Sequence, residues 1–547
     1  MTDVLLIQPP IREFYLTRKR TIPYGLASIA AALQQEGFTV DILDALARDK
    51  SKPIPYPEGF DHLTPYYGRF DQSRFALFHQ FRHFGYSHEH IATLVRERKP
   101  LVVAVSSLFT AYAGQALATA EAVKRFYPEA LVVMGGHHPT VFPEEMLANP
   151  VVDFVLRGEG EVSLPALCRL IKGGNTEDTD LKKIPGIAFS AEDGLFVSDP
   201  AWVKDLATLP LPDMEKIDQG YYFRRGQAAI TVVASRGCPF PCSYCSVSSS
   251  SSHARFRRRP VKEVLREIRS QAGRNDIGFI DFEDENLTLK KDWVLELLAG
   301  IRNIFQGNPV ELRAMNGLYP PSLDIEIIRA MKATGFRTLN LSVGSFSVDQ
   351  LSRFRRPDVT RDHDRVLDIA REEGLECVSY IIGAAPGQTA DTTLEDLLML
   401  AERRTLAGLS VFYPAPGSLD YERCKTEGVL PERFHLMRST ALPLDHTTTR
   451  LEAVTLLRLT RILNFMKSEI DTRGKLPEPR VFPGKERFDA GGDRTKVSRR
   501  LLTLFLADGI IRGVDRAGLV YPHETDRGLS QMFLEGIKIR KLSGVRS

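Results

Sequence analysis

Residues 231–249 read TVVASRGCPFPCSYCSVSS and place Cys238, Cys242 and Cys245 in the spacing C-x3-C-x2-C. The apolar run Thr231–Ala234 leads directly into this segment and predicts a strand that ends just before the cysteines. Three thiolates on one short loop can hold three irons of a [4Fe–4S] cluster and leave the fourth iron open for chemistry. The segment therefore predicts an iron–sulfur site at the end of a strand.

Two other roles for clustered cysteines fit less well. Zinc sites usually take four ligands, and the nearest extra candidate, His253, lies beyond the serine-rich stretch 246–252. A disulfide framework does not fit six cysteines in 547 residues. The other three cysteines are scattered, and we expect each to be a small buried apolar side chain: Cys168, Cys377 and Cys424.

The cysteine loop resembles the signature of the radical S-adenosylmethionine (SAM) superfamily, C-x3-C-x-aromatic-C. The resemblance implies that the three cysteines are the catalytic cluster ligands and that SAM chelates the open iron. It further implies that an electron from the cluster cleaves SAM to a 5′-deoxyadenosyl radical, which abstracts hydrogen from the substrate. It also implies that Tyr244 lies beside the adenine of SAM.

Composition narrows the protein class. The chain is long enough for two to four domains, and 43% hydrophobic with 26% charged residues indicates sizeable cores rather than disorder. A net charge of +3 predicts no nucleic-acid partner. The start MTDVLLIQPP is too short an apolar run for a signal peptide, and no run is long enough to span a membrane. With an oxygen-sensitive cluster, these features predict a cytoplasmic protein.

Residues 1–165 alternate strand and helix patterns, which predicts an α/β domain with a doubly wound, flavodoxin-like or Rossmann-like parallel sheet. A Pro-, Tyr-, Phe- and His-rich interval at about 46–99 interrupts the alternation, and we expect it to cover the sheet or its ligand. The predicted strands are Val4–Ile7, Thr39–Leu43, Leu101–Ser106, Ala130–Met134 and Val152–Leu156.

Small and polar residues follow two of these strands, as Ser106-Ser107 and as the run GGHHPT at 135–140. Ligands of such sheets bind beyond the carboxyl ends of strands, and glycine there lets the backbone approach a ligand closely. Tight turns of any flavodoxin-like domain are the alternative explanation.

Three runs of the first domain resemble the cobalamin-binding domain that is fused to many radical SAM proteins. They are residues 23–45, PYGLASIAAALQQEGFTVDILDA; residues 133–140, VMGGHHPT; and residues 153–161, DFVLRGEGE. The D-x-H-x-x-G motif, whose histidine binds cobalt in methionine synthase-type domains, is not found. We therefore expect a histidine near the nucleotide tail, with cobalt ligation by His137 or His138 as the alternative. The resemblance implies a cobalamin site of Ser106, Ser107, Gly135, Gly136, His137 and Thr140.

Residues 166–225 are predicted to be a connector that contains one hairpin, with its turn near Asp193, followed by a Pro-rich linker. A second βα series then fills residues 226–425. Its six strand patterns are too few for an eight-stranded barrel and resemble the partial (β/α)6 barrel of the radical SAM core. The predicted strands are Thr231–Ala234, Ile277–Asp281, Glu311–Met315, Thr338–Val343, Glu376–Ile382 and Leu409–Tyr413.

The resemblance places SAM contacts at the ends of these strands. It assigns Glu283 to the amino group of SAM, with an acidic helix-capping turn as the alternative. The run GAAPGQT at 383–389 resembles the G-x-P-G-E/Q-T segment beside the adenine, which implies contacts from Gly383, Pro386 and Gly387.

The end of the fourth strand departs from the family pattern. Relatives often read G-I-E-S there, with the glutamate near SAM, whereas Gly344 occupies that position here. We expect Ser342 or Ser345, or another carboxylate, to take over the contact.

Two further segments leave alternatives open. The arginines at 255 and 257–259 are expected to pair with acids or with bound anions, and nucleic-acid binding is the alternative. Residues 426–547 predict a small, mostly helical or winged region that closes over the substrate, with DNA binding as the alternative. Within it, Asp445, His446 and Arg450 are either substrate contacts or helix-capping residues.

Together these features predict a cobalamin-dependent radical SAM enzyme that methylates an unactivated carbon. Its cofactors would be a [4Fe–4S] cluster, SAM and cobalamin. Its partners would be a small-molecule or peptide substrate and an electron donor such as flavodoxin or ferredoxin. The alternatives are a radical SAM and cobalamin enzyme that performs a cyclisation or ring rearrangement, and a non-catalytic cobalamin sensor. Peptide, lipid, tetrapyrrole and antibiotic precursors all remain open as substrates.

Overall fold

The computed structural model describes residues 2–247, 256–488 and 491–546, so His253 and Arg255 lie outside the described residues. The first half of the chain builds a seven-stranded sheet and a small three-stranded sheet. The strands are β1 (Val4–Gln8), β2 (Ile11–Glu13), β3 (Val40–Asp44), β4 (Ser51–Pro53), β5 (Arg82–Phe84), β6 (Val102–Ser106), β7 (Leu131–Gly135), β8 (Phe154–Leu156), β9 (Ile187–Ala191) and β10 (Gly194–Val197).

The large sheet has the strand order β10-β9-β8-β7-β6-β1-β3. Its five strands from β3 to β8 are parallel, and their chain order 2-1-3-4-5 is that of a flavodoxin-like sheet. The strand order reverses between β1 and β6, which is where ligands of such sheets bind. The structure confirms the predicted α/β fold of this domain.

Helices cover both faces of this sheet because successive side chains of each strand point to opposite faces. On one face, Val4 and Leu6 pack against the helices at 24–35 and 160–172, and on the other Leu5 and Ile7 pack against those at 88–98 and 113–126. The helices are α1 (Tyr24–Gln35), α2 (Thr64–Tyr67), α3 (His88–Arg98), α4 (Ala113–Phe126), α5 (His137–Val141), α6 (Pro143–Leu147), α7 (Gly160–Lys172) and α8 (Asp178–Leu181).

The segment that the sequence analysis treats as a connector extends the first domain. Its hairpin, β9 and β10, adds to the sheet antiparallel to β8, with Val155 opposite Ala188. The linker that follows lies on α1. The backbone N–H of Asp213 donates to the carbonyl of Ala27 at 3.0 Å, an ordinary hydrogen-bond distance. The connector is therefore packed against the sheet rather than detached from it.

The insertion at 46–99 does two things. Its helix α3 covers one face of the sheet, and its strands β4 and β5 pair with β2. Around Phe14, an aromatic cluster brings Tyr67, Phe78 and Phe81 within ring-centroid distances of 5.1–5.3 Å. The same core includes Val454 of the C-terminal region, so the insertion packs against both the N-terminal segment around Phe14 and the C-terminal region.

The second domain is an open arc of six parallel strands in chain order. Two three-stranded sheets, β11-β14-β15 and β16-β17-β18, meet where Leu318 bridges Leu341 in parallel. This arrangement confirms the partial barrel, with a two-stranded ribbon, β12 and β13, beside its first strand. The strands are β11 (Ala228–Val232), β12 (Ser235–Arg236), β13 (Arg257–Arg258), β14 (Ile277–Phe282), β15 (Glu311–Ala314), β16 (Thr338–Gly344), β17 (Glu376–Gly383) and β18 (Leu406–Val411).

Amphipathic helices cover the outside of the arc. Val264, Leu297 and Ile328 bring three of them onto the first half of the strands in one continuous core. The helices are α9 (Val261–Ala272), α10 (Lys291–Ile304), α11 (Ile325–Thr334), α12 (Val348–Arg353), α13 (Thr360–Glu372), α14 (Ala390–Ala401) and α15 (Leu419–Thr426).

The C-terminal region packs on the second half of the arc through α14, in a core that includes Leu397, Leu459, Phe505 and Phe533. The region also contains two antiparallel strands. None of the described helices combines the length and apolarity that a membrane-spanning segment needs. The elements are α16 (Arg450–Arg473), α17 (Arg494–Asp508), β19 (Arg512–Val514), β20 (Val520–Pro522) and α18 (Arg527–Ile539).

The polar segment before α16 forms the start of that helix. Thr449 caps it in a reciprocal capping box with Glu452. The Asp445 carboxylate accepts the backbone N–H of Arg450 at 3.1 Å, and the Arg450 side chain donates to the carbonyl of Leu442 at 3.0 Å. Of the two roles that the sequence leaves open for Asp445 and Arg450, the structure shows these capping contacts.

Candidate active site

The cysteine loop is fixed at both ends by polar contacts. Gly237 turns the chain out of β12 with a φ of +85°, in the left-handed region that favours glycine. The side chain of Asn286, just beyond β14, donates to the Sγ of Cys238 at 3.0 Å. At the other end, the Ser243 hydroxyl donates to the Asp420 carboxylate at 2.8 Å. Two barrel elements therefore hold the loop that carries the three thiols.

The thiols of this loop match the donor set of an iron–sulfur cluster. Burial raises the pKa of Cys238 to about 11, so a bound cluster would have to stabilise the thiolate itself. Among the described residues, no three His, Cys, Asp or Glu side chains are gathered closely enough to hold a metal ion. The loop thus carries three thiols that are not gathered around a single point. The other three cysteines are buried thiols, as predicted: Cys168, Cys377 and Cys424.

The sequence analysis missed Arg356, whose guanidinium lies beside the cysteine loop. Its Nη1 lies 3.9 Å from the Sγ of Cys242 and 3.3 Å from the hydroxyl of Tyr244. Its Nη2 donates to the Ser342 hydroxyl at 3.0 Å. A Cβ at Gly344 would lie 3.0 Å from the Cδ of Arg356, so the glycine leaves room for the arginine. A cation therefore lies where the resemblance predicts a glutamate.

The two serines proposed to replace that glutamate have different surroundings. Ser342 faces Arg356, and through it the cysteine loop. Ser345 is 1% exposed, and its hydroxyl donates to the Asp396 carboxylate of α14 at 2.7 Å. The structure thus brings Ser342 but not Ser345 to the loop. Tyr244 packs edge-on against Phe354 at 4.9 Å.

Of the carboxylates that follow β14, Glu283 and Glu285 each keep a buried oxygen without a hydrogen-bond partner among the described residues, and Glu283 is the one for which the resemblance predicts a ligand. The Oε2 of Glu283 meets Arg20 at 3.4 Å, whereas its Oε1 is buried and has no hydrogen-bond partner among the described residues. Burial raises the pKa of Glu283. Asp284 instead accepts from the Ser235 hydroxyl at 2.5 Å, and burial raises its pKa to about 7. Glu283 therefore fits a cationic group such as an ammonium, and Asp284 is structural.

The glycine-containing loop after β17 is held from the C-terminal region. The strand ends at Gly383, and Gly387 has a φ of +72°. A side chain at Gly387 would overlap Arg353. The carbonyl of Gln388 accepts from the hydroxyl of Thr448 at 2.7 Å, so the loop that contains Pro386 is tied to the start of α16.

The predicted cobalamin residues follow the carboxyl ends of β6 and β7, on one side of the point where the strand order reverses. The backbone N–H of Ser107 donates to the carbonyl of Gly135 at 2.7 Å, just after Ser106 ends β6. Gly136 has a φ of +120°, and a Cβ there would lie 2.7 Å from the carbonyl oxygen of Ser107. In the described chain, Ser107 Oγ and His137 Nε2 are buried without a hydrogen-bond partner. These two atoms fit a large polar ligand.

The next residues of that loop serve the fold. His138 is fully buried, and its Nδ1 lies 3.2 Å from the Thr110 hydroxyl, although its Nε2, like that of His137, has no partner among the described residues; burial lowers its pKa to about 4. The hydroxyl of Thr140 donates to the carbonyl of Gly136 at 2.7 Å and accepts the backbone N–H of Gly158 at 2.9 Å. Thr140 therefore braces the loop from within the domain.

Ion pairs join the cysteine loop to the first domain. Arg236, two residues before Cys238, lies 2.6 Å from the Glu161 carboxylate and 3.3 Å from that of Glu159. Arg257 pairs with Glu159 at 2.9 Å. Both acids belong to the run DFVLRGEGE. Of the described arginines beyond the loop, Arg257 and Arg259 pair with acids of the same chain, Arg259 with Glu267, whereas Arg258 lies 5.9 Å from the Trp293 ring centroid.

Comparison with protein families agrees with these two modules. Residues 78–168 match the B12 binding domain, and residues 232–400 match the radical SAM superfamily. The chain therefore combines a B12-binding domain with a radical SAM domain. The matches confirm the predicted cofactors of this radical SAM enzyme: cobalamin for the first module, and SAM with a [4Fe–4S] cluster for the second.

Two curated relatives and one solved structure are similar to the radical SAM enzyme described here. Cytidylyl-2-hydroxyethylphosphonate methyltransferase of Streptomyces wedmorensis is 24% identical over 80% of this chain and 84% of that protein. Anaerobic magnesium-protoporphyrin IX monomethyl ester cyclase of Cereibacter sphaeroides is 26% identical over 60% of this chain and 54% of that protein. The methyltransferase TsrM of Kitasatospora setae, solved with cobalamin and a [4Fe–4S] cluster, shares the fold with a TM-score of 0.57. It is 21% identical over 78% of this chain and 75% of that chain.

Proposed function

We propose that the enzyme methylates an unactivated carbon of its substrate. The observation that carries the proposal is the contact between Arg236 and Glu161, which sets the cysteine loop directly against the cobalamin-type domain. Similarity to a methyltransferase along 84% of that relative's length supports the same reaction class. A SAM-cleaving centre and a methyl carrier would then share one substrate space.

The bound cofactors would supply the difficult chemistry, SAM cleavage by the reduced cluster and methyl transfer by cobalamin, and the protein would orient them. Cys238, Cys242 and Cys245 would hold the cluster. Glu283 would accept the ammonium group of SAM through its unpartnered oxygen. Arg356 would offer a positive charge to the cluster thiolates or to the SAM carboxylate.

SAM turnover without added substrate tests this proposal. We expect the reduced, reconstituted enzyme with cobalamin to form both S-adenosylhomocysteine, which reports methyl donation, and 5′-deoxyadenosine, which reports radical formation. Similarity to a cyclase keeps cyclisation as a second candidate, and deoxyadenosine without S-adenosylhomocysteine would favour it. Formation of neither product would favour a non-catalytic sensor. Once a substrate is known, deuterated-methyl SAM should place label in the product.

The matched controls are two cysteine variants. Cys242→Ala should abolish deoxyadenosine formation, whereas Cys168→Ala, on α7 in the core of the first domain, should retain it. We further propose a reducing cytoplasm as the compartment, because the six cysteines are thiols rather than disulfides. Flavodoxin or ferredoxin would be the electron donor, and the substrate would be a small molecule or peptide.

A further inference from the structure

Two adjoining cavities lie between the insertion and the C-terminal helices. Their volumes are about 560 Å³ and about 550 Å³, and they share a wall formed by residues 76–79 and by Arg494 of α17. From α16, Arg458 lines the first cavity and Arg461 the second. We call this joint space the arginine cleft.

Arg461 makes no hydrogen bond or ion pair with any residue in the described ranges, although burial lowers its pKa. One turn earlier on α16, Arg458 is 2% exposed. Its terminal nitrogens donate to the carbonyls of Phe75 at 3.3 Å and Tyr66 at 2.9 Å, and its Nε has no partner among the described residues. Enclosed cations that outnumber the anions beside them are costly, so this pair, the buried Arg458 and the half-buried Arg461, points to an anionic ligand.

The remaining charges of the cleft leave it positive. Arg494 donates to the carbonyl of Ser73 at 2.7 Å, so its charge is not neutralised. Arg82 likewise bonds to neutral groups, such as the Ser51 hydroxyl at 2.9 Å. The acid on the wall, Asp71, accepts a hydrogen bond from His523 at 3.0 Å and supplies one negative charge against the arginines of the two cavities. The cleft can therefore attract an anion without displacing a resident carboxylate.

The arginine cleft lies near the barrel opening. Phe14 and Tyr15 line its second cavity, and the Tyr15 ring stacks on Phe78 with centroids 5.5 Å apart. Arg20 follows Tyr15 by five residues and donates to the side chain of Glu283, where the SAM contact is expected. Five residues of chain span at most about 17 Å, so a ligand of moderate length can reach from the cleft to the barrel.

We propose that the arginine cleft binds the phosphate or phosphonate group of the substrate. Guanidinium groups from two helices match the three oxygens of a tetrahedral oxyanion, and aromatic walls suit the organic part attached to it. The role as a substrate site rests on the proposed methyl transfer. The anchored group would then hold the reacting carbon at the barrel opening, next to Glu283 and the cysteine loop.

Binding of simple probes to the full-length enzyme tests the site. We expect phenyl phosphate to raise the Tm and to bind in calorimetry at least tenfold more tightly than benzoate, which has the same ring and a planar carboxylate. Inorganic phosphate should bind and compete with phenyl phosphate. Arg461→Met should weaken phenyl phosphate binding at least tenfold, and Arg494→Met should do the same, which keeps the test valid if one variant does not fold. Arg473→Met, at the far end of α16 and paired with Glu469 at 3.6 Å, should bind as the wild type does.

Several outcomes would overturn the assignment. They are no binding of any phosphate probe, equal binding of benzoate, binding of inorganic phosphate with exclusion of phenyl phosphate, or unchanged binding in both cleft variants. Formation of S-adenosylhomocysteine by the wild type is measured separately. Failure of that assay with intact phenyl phosphate binding would reject the methylation proposal alone. Formation of S-adenosylhomocysteine without binding of phenyl phosphate would reject the arginine cleft as a phosphate site and leave the methylation proposal intact.

Discussion

The guanidinium of Arg356 lies against Gly344 and directs its Nη1 at the Sγ of Cys242, 3.9 Å away. Gly344 has a φ of +89°, and the absence of a side chain there admits the arginine. The charge next to the expected cluster is therefore positive at the position where the family resemblance predicts a carboxylate. Net charge and hydrogen bonds to the sulfur atoms are among the factors that set cluster potentials.

Arg356→Met should make the reduction potential of the cluster more negative. Loss of a cation disfavours the reduced, more negatively charged state, and a hydrogen bond worth on the order of 1 kcal/mol corresponds to tens of millivolts. Redox titration followed by electron paramagnetic resonance measures the shift. Arg356→Lys keeps the charge and should shift the potential less. An unchanged potential in Arg356→Met would show that the arginine does not act on the cluster.

Gly344→Ala should reproduce part of that effect by displacing Arg356. The new Cβ would lie 3.0 Å from the Cδ of Arg356, at a φ of +89°. We expect the free energy of unfolding to fall by about 2 kcal/mol, through backbone strain plus the clash. The matched control is Gly374→Ala, with a φ of +69° and open space around the Cβ. Gly374→Ala should lower the free energy of unfolding by about 1 kcal/mol and leave the reduction potential of the cluster unchanged. Equal potentials in the two glycine variants would show that Gly344→Ala does not displace Arg356 from the cluster.

Alanine variants should separate the three loop cysteines from the rest. Cys238→Ala, Cys242→Ala and Cys245→Ala should each lose the [4Fe–4S] signal and most of the bound iron after reconstitution, because a cluster needs all three thiolates. Cys377→Ala, on β17 in the core between the barrel and its outer helices, should keep the [4Fe–4S] signal and the bound iron. Only its free energy of unfolding should fall. Iron and sulfide analysis with electron paramagnetic resonance measures this. Retention of the cluster by a loop variant would remove that cysteine from the ligand set.

Local patterns predict the elements well and their long-range partners less well. The strands β14 and β17 begin at the predicted residues, Ile277 and Glu376, and each extends one residue past its predicted end, because short runs rich in apolar residues mark them in the sequence. The hairpin near Asp193 is also present, yet its addition to the first sheet depends on pairing with β8 some thirty residues earlier. Nothing in the hairpin's own alternation specifies that neighbour.

The same distinction holds for the candidate site. The spacing of the cysteines identifies the loop without reference to the fold. Gly344 signals a missing side chain but not that Arg356 fills the space, since the two meet only through the turn after β16. The arginine cleft brings residues 76–79 against Arg461 and Arg494, far away in the chain, and only tertiary packing creates it.

Glu161→Gln should loosen the junction of the two domains. The Glu161 carboxylate is buried, accepts from the Ser28 hydroxyl at 2.8 Å and pairs with Arg236. Removal of the Glu161 charge leaves Arg236 with only Glu159 as an anionic partner. We therefore expect the free energy of unfolding to fall by about 2 kcal/mol. Thermal unfolding and limited proteolysis between the domains measure it. Glu36→Gln breaks an exposed pair with Arg169 and should change stability by less than about 0.5 kcal/mol, so equal effects would contradict this role.

Asp396→Asn should make stability less dependent on pH. Burial raises the pKa of Asp396 to about 7, and its oxygens accept from the Ser345 hydroxyl and the Phe346 backbone N–H, each at 2.7 Å. The folded state therefore holds this proton up to about pH 7, whereas the unfolded chain releases it near pH 4, so the group lowers stability as pH rises between those values.

Asparagine can accept from Phe346 and donate to the Ser345 oxygen, and it does not ionise. At pH 5 the Tm of Asp396→Asn should be close to that of the wild type, and at pH 8 the variant should be the more stable protein. Ser345→Ala removes one contact while Asp396 remains, so its pH dependence should persist. Differential scanning calorimetry from pH 5 to pH 8 measures all three proteins. A constant difference in Tm between Asp396→Asn and the wild type would show that Asp396 is ionised throughout this range.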